Sequence, residues 1–452
     1  MKNTTDMTVG STTRHLILFA LPALIGNIFQ QVYNIADSAI VGRFVGPDAL
    51  AAVGATGSIT FLFFALCNGI GSGGGIIVSQ FYGAHDDERV KKGIVNTGII
   101  MLIIPACFAI IGYISADNIL RILSTPTEIL ADATSYVRYM CMGLIFVSLY
   151  NYITSMMRAL GDSKTPLYFL ILSAIINVAL DLLFVYVMGM GINGAAIATV
   201  ISQFIAAACC GIYAYLKNPY FKLKREDIVF VPDLAVKVLR LGIPLSLQFG
   251  LIAISGMAVQ RIVNGYGKTV VAAFTATNRI EQLIHQPFTT LSASISTFVG
   301  QNYGAKKIDR VRGGYRKGLL IMVILAAVII VSMQLFGGVI TSLFVDEPEI
   351  IAMGAMGLKI TSIFYPVLGL IYVVRGVLNG VGDAFFALFN GIVEVVGRFT
   401  VPILFTKYLG MGATGIWVSA GIVWAISGIT AWMRLVATRV LQTGTLKRRR
   451  DI

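Results

Sequence analysis

Histidine is almost missing from this sequence: His15, His85 and His285 are the only three in 452 residues. No cluster around them has the spacing of a metal site or a catalytic triad, so an enzyme is not expected. Cysteine is sparse as well. Cys67, Cys107, Cys141, Cys209 and Cys210 are odd in number, lie inside apolar runs and lack metal-ligand spacing, so they read as small core residues. Charged residues make up only 13% of the chain against 56% hydrophobic, with a mean hydropathy of +0.81, and so apolar a chain cannot hide its surface in one soluble core. No Walker A sequence is present, so an ATP-driven pump would need another chain, and no cofactor is expected. The N-terminus has no short apolar stretch ending in a small-residue cleavage site; its first apolar run begins near Arg14 and is expected to stay as the first helix.

What fills the chain instead is a succession of apolar runs. A helix needs about 20 such residues to cross roughly 30 Å of hydrocarbon. Runs of that kind fall at 14–43, 50–82, 93–115, 134–160, 164–188, 192–216, 236–265, 270–303, 314–337, 354–381, 384–407 and 412–441. The one long hydrophilic connection, 217–234, holds two prolines and mixed charge and separates an N-terminal lobe, 1–216, from a C-terminal lobe, 235–441, with a basic tail at 442–452.

The formal net charge of +13 raises the question of nucleic acid, and its placement answers it. Arg89, Lys91 and Lys92 follow the second span, Lys217 to Arg225 the sixth, Lys306 to Lys317 the eighth, and Lys447 to Arg450 close the chain. The intervening loops are nearly bare of Lys and Arg, and one carries Asp346, Glu347 and Glu349. This positive-inside pattern implies a multi-pass protein of the cytoplasmic (inner) membrane with both termini cytoplasmic. No nucleic-acid partner is expected, since no soluble basic domain carries the charge.

The halves repeat. Gln80-Phe-Tyr-Gly-Ala-His matches Gln301-Asn-Tyr-Gly-Ala-Lys at an offset of 221, and the same offset carries Gly161-Asp162 onto Gly382-Asp383 and the Gly189-Met-Gly191 turn onto Gly410-Met-Gly412. The expected fold is an all-α integral membrane protein. Its twelve transmembrane helices form two six-helix lobes related by a pseudo-two-fold axis along the membrane normal, with a transport path between them.

Gly69-x-Gly71-x-x-Gly74, Gly189-x-Gly191-x-x-Gly194 and Gly410-x-Gly412-x-x-Gly415 have the spacing of a dinucleotide fingerprint. No strand precedes any of them, so close helix contact and tight turns explain them better. The first span is more informative. Asn27, Gln30, Gln31, Asn34, Asp37 and Ser38 recur at three- and four-residue steps, a polar face that lipid does not tolerate, and Asp37 is its lone carboxylate. Pro22 should bend or hinge the same helix, and Pro244 stands at nearly the same place in the second half.

In the fifth span Asn177 and Asp181 share a face, and the sixth span returns antiparallel to bring Thr199 and the backbone at Ala195 to a similar depth. Carboxylate, amide oxygen, hydroxyl and carbonyl are ligands suited to a hard cation such as Na⁺; the pocket would also suit a proton, and a purely structural polar network is the bland alternative. The second half lacks this pocket: Arg398 stands where Asn177 does and Pro402 where Asp181 does. Glu394 and Arg398 have the spacing of an intrahelical ion pair. Glu281, with His285 nearby in the eighth span, is the candidate substrate-facing acid. Gln30, Tyr33, Asn34, Tyr150, Asn151, Met157, Gln248 and Phe249 are further candidates to line a cavity, although aromatic and Met side chains are as readily packing residues.

Together these features resemble the MATE (multidrug and toxin extrusion) family of the MOP exporter superfamily. The likeness rests on Pro22 with Asp37, on Asn177-x-x-x-Asp181 leading through Gly189, Gly191 and Gly194 to Ala195 and Thr199, and on the Gln-x-Tyr-Gly-Ala loop of each half. It implies a secondary active exporter of small organic compounds, chiefly cations, driven by inward Na⁺ or H⁺ through alternating access in contact with membrane lipids. A monomer is expected. By the same resemblance Asp37, Asn177, Asp181 and Thr199, with the Ala195 carbonyl, hold the coupling cation, and Pro22 helps couple that site to the cavity. C-terminal acids of some branches stand in the seventh and tenth spans, where this chain has none; Glu281 in the eighth resembles the MepA/DinF-like branch. The rival readings are a flippase for lipid-linked oligosaccharide or peptidoglycan precursors, which calls for a cationic cavity, and an ion channel, for which no shared filter motif is found.

Overall fold

The computed structural model describes residues 4–443, and the basic run Lys447 to Arg450 lies outside the described residues. Among the described residues every regular element is helical, and several helix starts rest on identifiable chemistry. α1 is Thr12–Phe44, and α2, Pro47–Gly83, follows Gly46 at φ 122° with proline in its first turn, where a missing N–H costs nothing. α3, Asp87–Ile122, is capped by Asp86, whose carboxylate accepts from the Arg89 N–H at 3.1 Å. α4 is Thr127–Ala159, and α5, Lys164–Asp181, runs into a π-helical turn, Leu182–Val187. α6 is Gly191–Lys217, α7 Pro232–Asn264, α8 Lys268–Gly304 and α9 Ile308–Ser342. α10, Pro348–Ser362, meets α11, Tyr365–Gly380, at 51°. α12, Ala384–Ile403, ends in a second π turn, Leu404–Tyr408, and α13 is Thr414–Thr438.

Ten of these helices are long and apolar enough to cross a membrane, and the α10–α11 pair makes an eleventh span. α8 is the twelfth. Its 37 residues suffice for length, but Arg279, Glu281, Gln282, His285 and Gln286 in mid-helix make it the most polar. The tenth span departs from the continuous run expected at 354–381. Pro366 lacks an N–H and disfavours helical geometry in the residue before it, which breaks the helix at Ile363 and Phe364.

The repeat extends to the backbone itself. Gly46, Gly161, Gly189 and Gly191 take positive φ, and so do Gly267, Gly382, Gly410 and Gly412, each 221 residues on. His85 and Lys306, a further matched pair, both sit in the left-handed region, at 56° and 57°. The two π turns also correspond.

The chain divides into two compact units, one built on Leu21–Leu247 and the other on Met7–Ala20 with the chain from Gln248 onward. α1 passes between units at Ala20–Leu21, beside Pro22, and α7 at Leu247–Gln248, three residues after Pro244. In the first unit α4 is central and packs on α2, α3 and α6 around Val137, Cys141 and Leu144. In the second, α11 packs on α8, α9 and α13 around Phe288, Tyr365 and Trp424. Cys67, Cys141 and Cys210 are core residues as expected, but Cys107 is exposed and Cys209 half-buried, since a membrane helix also turns apolar residues outward to lipid.

The Gly69–Gly74 motif is a helix crossing. A Cβ on Gly69 would lie 2.4 Å from the Ser246 nitrogen, one on Gly73 2.5 Å from the Gly242 nitrogen, and one on Gly74 2.3 Å from a Thr97 methyl. α2 therefore touches α7 backbone to backbone along one face and α3 along another, the small-residue packing that membrane helices favour.

Candidate functional site

In the first unit three helices converge on one polar pocket. α5 turns Asn177 and Asp181 inward, 1% and 0% exposed, and Asp181 is the last residue before the π turn, a distortion often found at functional positions. α6 faces them with Thr199, and buried Ala195 lies one turn earlier. α1 supplies Asp37 and, one turn before it, Tyr33. The Asp37 and Asp181 carboxyl groups come within hydrogen-bonding reach of one another. Each leaves its Oδ1 buried without a partner. With its amide nitrogen toward Asp181, Asn177 donates to Asp181 Oδ2 at 2.8 Å and accepts from the Thr199 N–H at 3.3 Å. Tyr33 reaches Thr199, and Tyr136 of α4 is close enough to feel both carboxylates.

Among the described residues the pocket has no cationic side chain of its own. Among the described residues the ion pairs of this unit are Arg89–Asp86, Lys91–Asp227, Lys92–Glu88, Arg121–Asp117 and Lys224–Glu226, all at helix ends or in the connection before α7. Two carboxylates, an amide and a hydroxyl form an oxygen-rich donor set that fits a proton or a small hard cation.

The other candidates fall in several places. Gln30 is half-buried and Asn34 exposed on the α1 face that carries Asp37. Tyr150 and Met157 both make packing contacts within the first unit. The Tyr150 hydroxyl donates to the Pro166 carbonyl at 3.0 Å, and Met157, 1% exposed, packs with Ile153, Cys210 and Ala214. The Asn151 amide donates to its own helix at Val147. Gln248, 6% exposed, lies in the second unit against α12, where a Cβ on Gly391 would stand 3.2 Å from its Cγ.

Glu281 and His285 also belong to the second unit. Glu281 reaches Thr361 at the end of α10, and its Oε1 is buried without a partner. His285 stands edge-on to Tyr372 at 6.3 Å and tilted against Trp424 at 5.7 Å, with Nε2 unpartnered. Nearby, Glu394 receives Arg398 at 2.9 Å and also Arg375 at 3.0 Å. Arg375 is the residue that helical spacing misses. It comes from α11, is 7% exposed, and also donates to Asn390 at 2.7 Å; Asn390 in turn donates to Ser427 and Thr430 of α13. The signal available in the sequence was a lone arginine inside the tenth apolar run.

Comparison with known proteins bears on this arrangement. The MatE family model matches the chain twice, over residues 22–183 and 244–403, so both copies begin at the paired prolines. The chain is 32% identical over 450 residues to the "Probable multidrug resistance protein YoeA" of Bacillus subtilis, covering 96% of each protein. It is 22% identical to the "Multidrug export protein MepA" of Staphylococcus saprophyticus, covering 90% of this chain and 89% of that one. Among solved structures, one described as "Crystal structure of MATE in complex with MaL6" superposes with a TM-score of 0.90 at 23% identity, over 96% of this chain and 98% of the other.

Proposed function

Since this chain belongs to the MATE family of multidrug efflux transporters, we propose that it exports organic, chiefly cationic and amphipathic compounds in exchange for H⁺ or Na⁺ entering the Asp37–Asp181 pocket. One observation carries the reading: two carboxyl groups face each other inside a lipid-embedded helix bundle with no basic side chain between them among the described residues. Two unit charges about 4 Å apart repel by about 4 kcal/mol at an effective dielectric constant near 20. Desolvation adds to that cost, so both groups are ionised together only when a cation joins them. Loading and unloading that cation therefore changes the stability of whatever arrangement of α1, α5 and α6 brings the carboxyls together, which is what coupling by alternating access requires. Asn177, Thr199 and Tyr33 supply the hydrogen bonds that orient the pair.

The flippase reading requires free cationic side chains to hold a pyrophosphate. In the second unit Arg375 and Arg398 are both tied to Glu394, which favours the exporter. In the first unit Arg158, its Nε buried, is in no ion pair among the described residues but stands in the last turn of α4, outside the Asp37–Asp181 pocket.

The test is efflux of ethidium from proteoliposomes under an imposed pH gradient or an imposed Na⁺ gradient. One gradient is expected to drive export, and Asp37→Asn or Asp181→Asn to reduce it at least tenfold. Gradient-driven export that survives Asp37→Asn would sink the assignment.

A further inference from the structure

A further intramembrane charge outside any ion pair lies in the second unit, on α10. Lys359 is exposed on α10, eleven residues into the helix, and among the described residues it forms no ion pair. It lines a groove of about 500 Å³ between α9 and α10 whose other walls include Ala352, Met356 and Ile363. Gln334 of α9 closes one end, donating to the Lys359 carbonyl at 2.9 Å and the Ser362 hydroxyl at 3.1 Å. The surrounding surface is apolar and exposed, with Val331 at 56%, Leu335 at 70% and Val339 at 64%, so the groove opens toward lipid. A lysine facing lipid is costly unless it snorkels to the interface or meets an anion.

We propose that this groove is a binding site for an amine-bearing zwitterionic phospholipid. Its phosphate meets the snorkelled Lys359 ammonium beside Met356, and an acyl chain runs deeper from there along Ile360 and Ile363. Charge order argues for this occupant. Glu349 lies on the same helical face as Met356, and the acids Asp346 and Glu347 stand just before it in the loop. The Glu349 and Lys359 Cα atoms are separated by about 15 Å along the helix. A lysine ammonium snorkels toward the interface, here the Glu349 end. A headgroup entering from that leaflet presents phosphate deeper and ammonium shallower, the order in which the protein offers base and then acid. A headgroup of net negative charge would meet the three acids unfavourably. Ile363 sits at the break between α10 and α11, so the bound chain also braces the bent span.

The experiment is native mass spectrometry of the full chain released from detergent and titrated with phosphatidylethanolamine or phosphatidylglycerol of matched acyl chains. Wild type is expected to retain one tight phosphatidylethanolamine and to bind phosphatidylglycerol at least several-fold more weakly. Lys359→Gln and Met356→Trp, the second filling the groove while keeping the lysine, should each weaken phosphatidylethanolamine about tenfold without changing the melting temperature of lipid-free protein. If Lys359→Gln fails to fold, Met356→Trp carries the test alone. Equal retention by wild type and variants, or equal binding of the two lipids, overturns the proposal.

Discussion

Replacing Glu394 with glutamine is the most discriminating single change the second unit offers. The side chain keeps its shape, so packing against α11 and α13 is preserved, but Arg375 and Arg398 lose their shared counter-charge at 3.0 and 2.9 Å, with Glu394 only 8% exposed. Two magnitudes compete. If the contacts behave as ordinary hydrogen bonds in a membrane, each contributes about 0.6 kcal/mol, and weakening the two, one between helices and one within α12, costs about 1 kcal/mol. If they behave as a buried ion pair, removing one partner costs about 3–5 kcal/mol, because two desolvated guanidinium groups are left facing each other. The second should win, since the arginines have no bulk water to turn to. For a unit of this size 1 kcal/mol moves the melting temperature by about 2–4 °C, so the expected drop is roughly 6–20 °C. The assay is apparent melting in detergent at a fixed scan rate, since membrane proteins often unfold irreversibly. The triple variant Arg375→Met, Glu394→Leu, Arg398→Met should recover most of the loss. A drop below about 4 °C in Glu394→Gln would refute the reasoning.

Gly69→Ala should destabilise by about 1–3 kcal/mol, because its Cβ would stand 2.4 Å from the Ser246 backbone and force α2 from α7, whereas Gly57→Ala, with nothing within 4 Å, should leave melting unchanged. Asn96 accepts from the Val231 N–H at 2.8 Å and donates to the Val229 carbonyl at 3.0 Å; Asn96→Ala orphans both, at about 1–3 kcal/mol, and should speed trypsin cleavage at Lys224 and Arg225 several-fold. The Lys224 backbone N–H and the Lys91 ammonium hold the Asp227 carboxyl below the usual carboxylate range. A depressed carboxyl contributes fully above its unfolded value of about 3.9 and loses that contribution as pH falls through the folded value. Pepsin cleavage of the 218–231 segment should therefore accelerate below pH ~4 in wild type and show no such step in Asp227→Asn.

The fold was legible because lipid imposes a simple rule. Every span must be a long apolar helix, and the 221-residue offset repeats down to the signs of φ at four pairs of glycines. The exceptions have local causes: Pro366 splits a run that hydropathy treats as continuous, and α8 buys its polar middle by giving up the apolar surplus of its neighbours. Within the candidate site, Asp37 was legible from helical spacing and Asn177, Asp181 and Thr199 from the antiparallel return of α6. Arg375 was not, since Asn390 and Glu394 lie fifteen and nineteen residues away on another helix, beyond the reach of i to i+4 reasoning. For Tyr150 and Met157, side-chain type alone does not separate a cavity wall from a packed interior.

The matched offset sharpens the division of labour between the halves. Asp181 and Pro402 each stand just ahead of a π turn, and Asn177 corresponds to Arg398, so the same backbone holds opposite electrostatics in the two copies. In the first unit the pocket carries two acids, and under the proposed function a mobile cation balances them. In the second, Glu394 is balanced by arginines of the protein itself, which cannot leave. An exchangeable charge can act as a coupling ion and a covalently fixed one cannot. On that reading, introducing Arg398→Asn with Pro402→Asp should not create a second coupling site while Arg375 remains, because Glu394 keeps a fixed counter-charge and the new acid has no carboxyl partner, Ala258 standing where Asp37 does. Ion stoichiometry per ethidium exported, measured at static head, should stay at the wild-type value, and an increase would show that the second copy can couple as it stands.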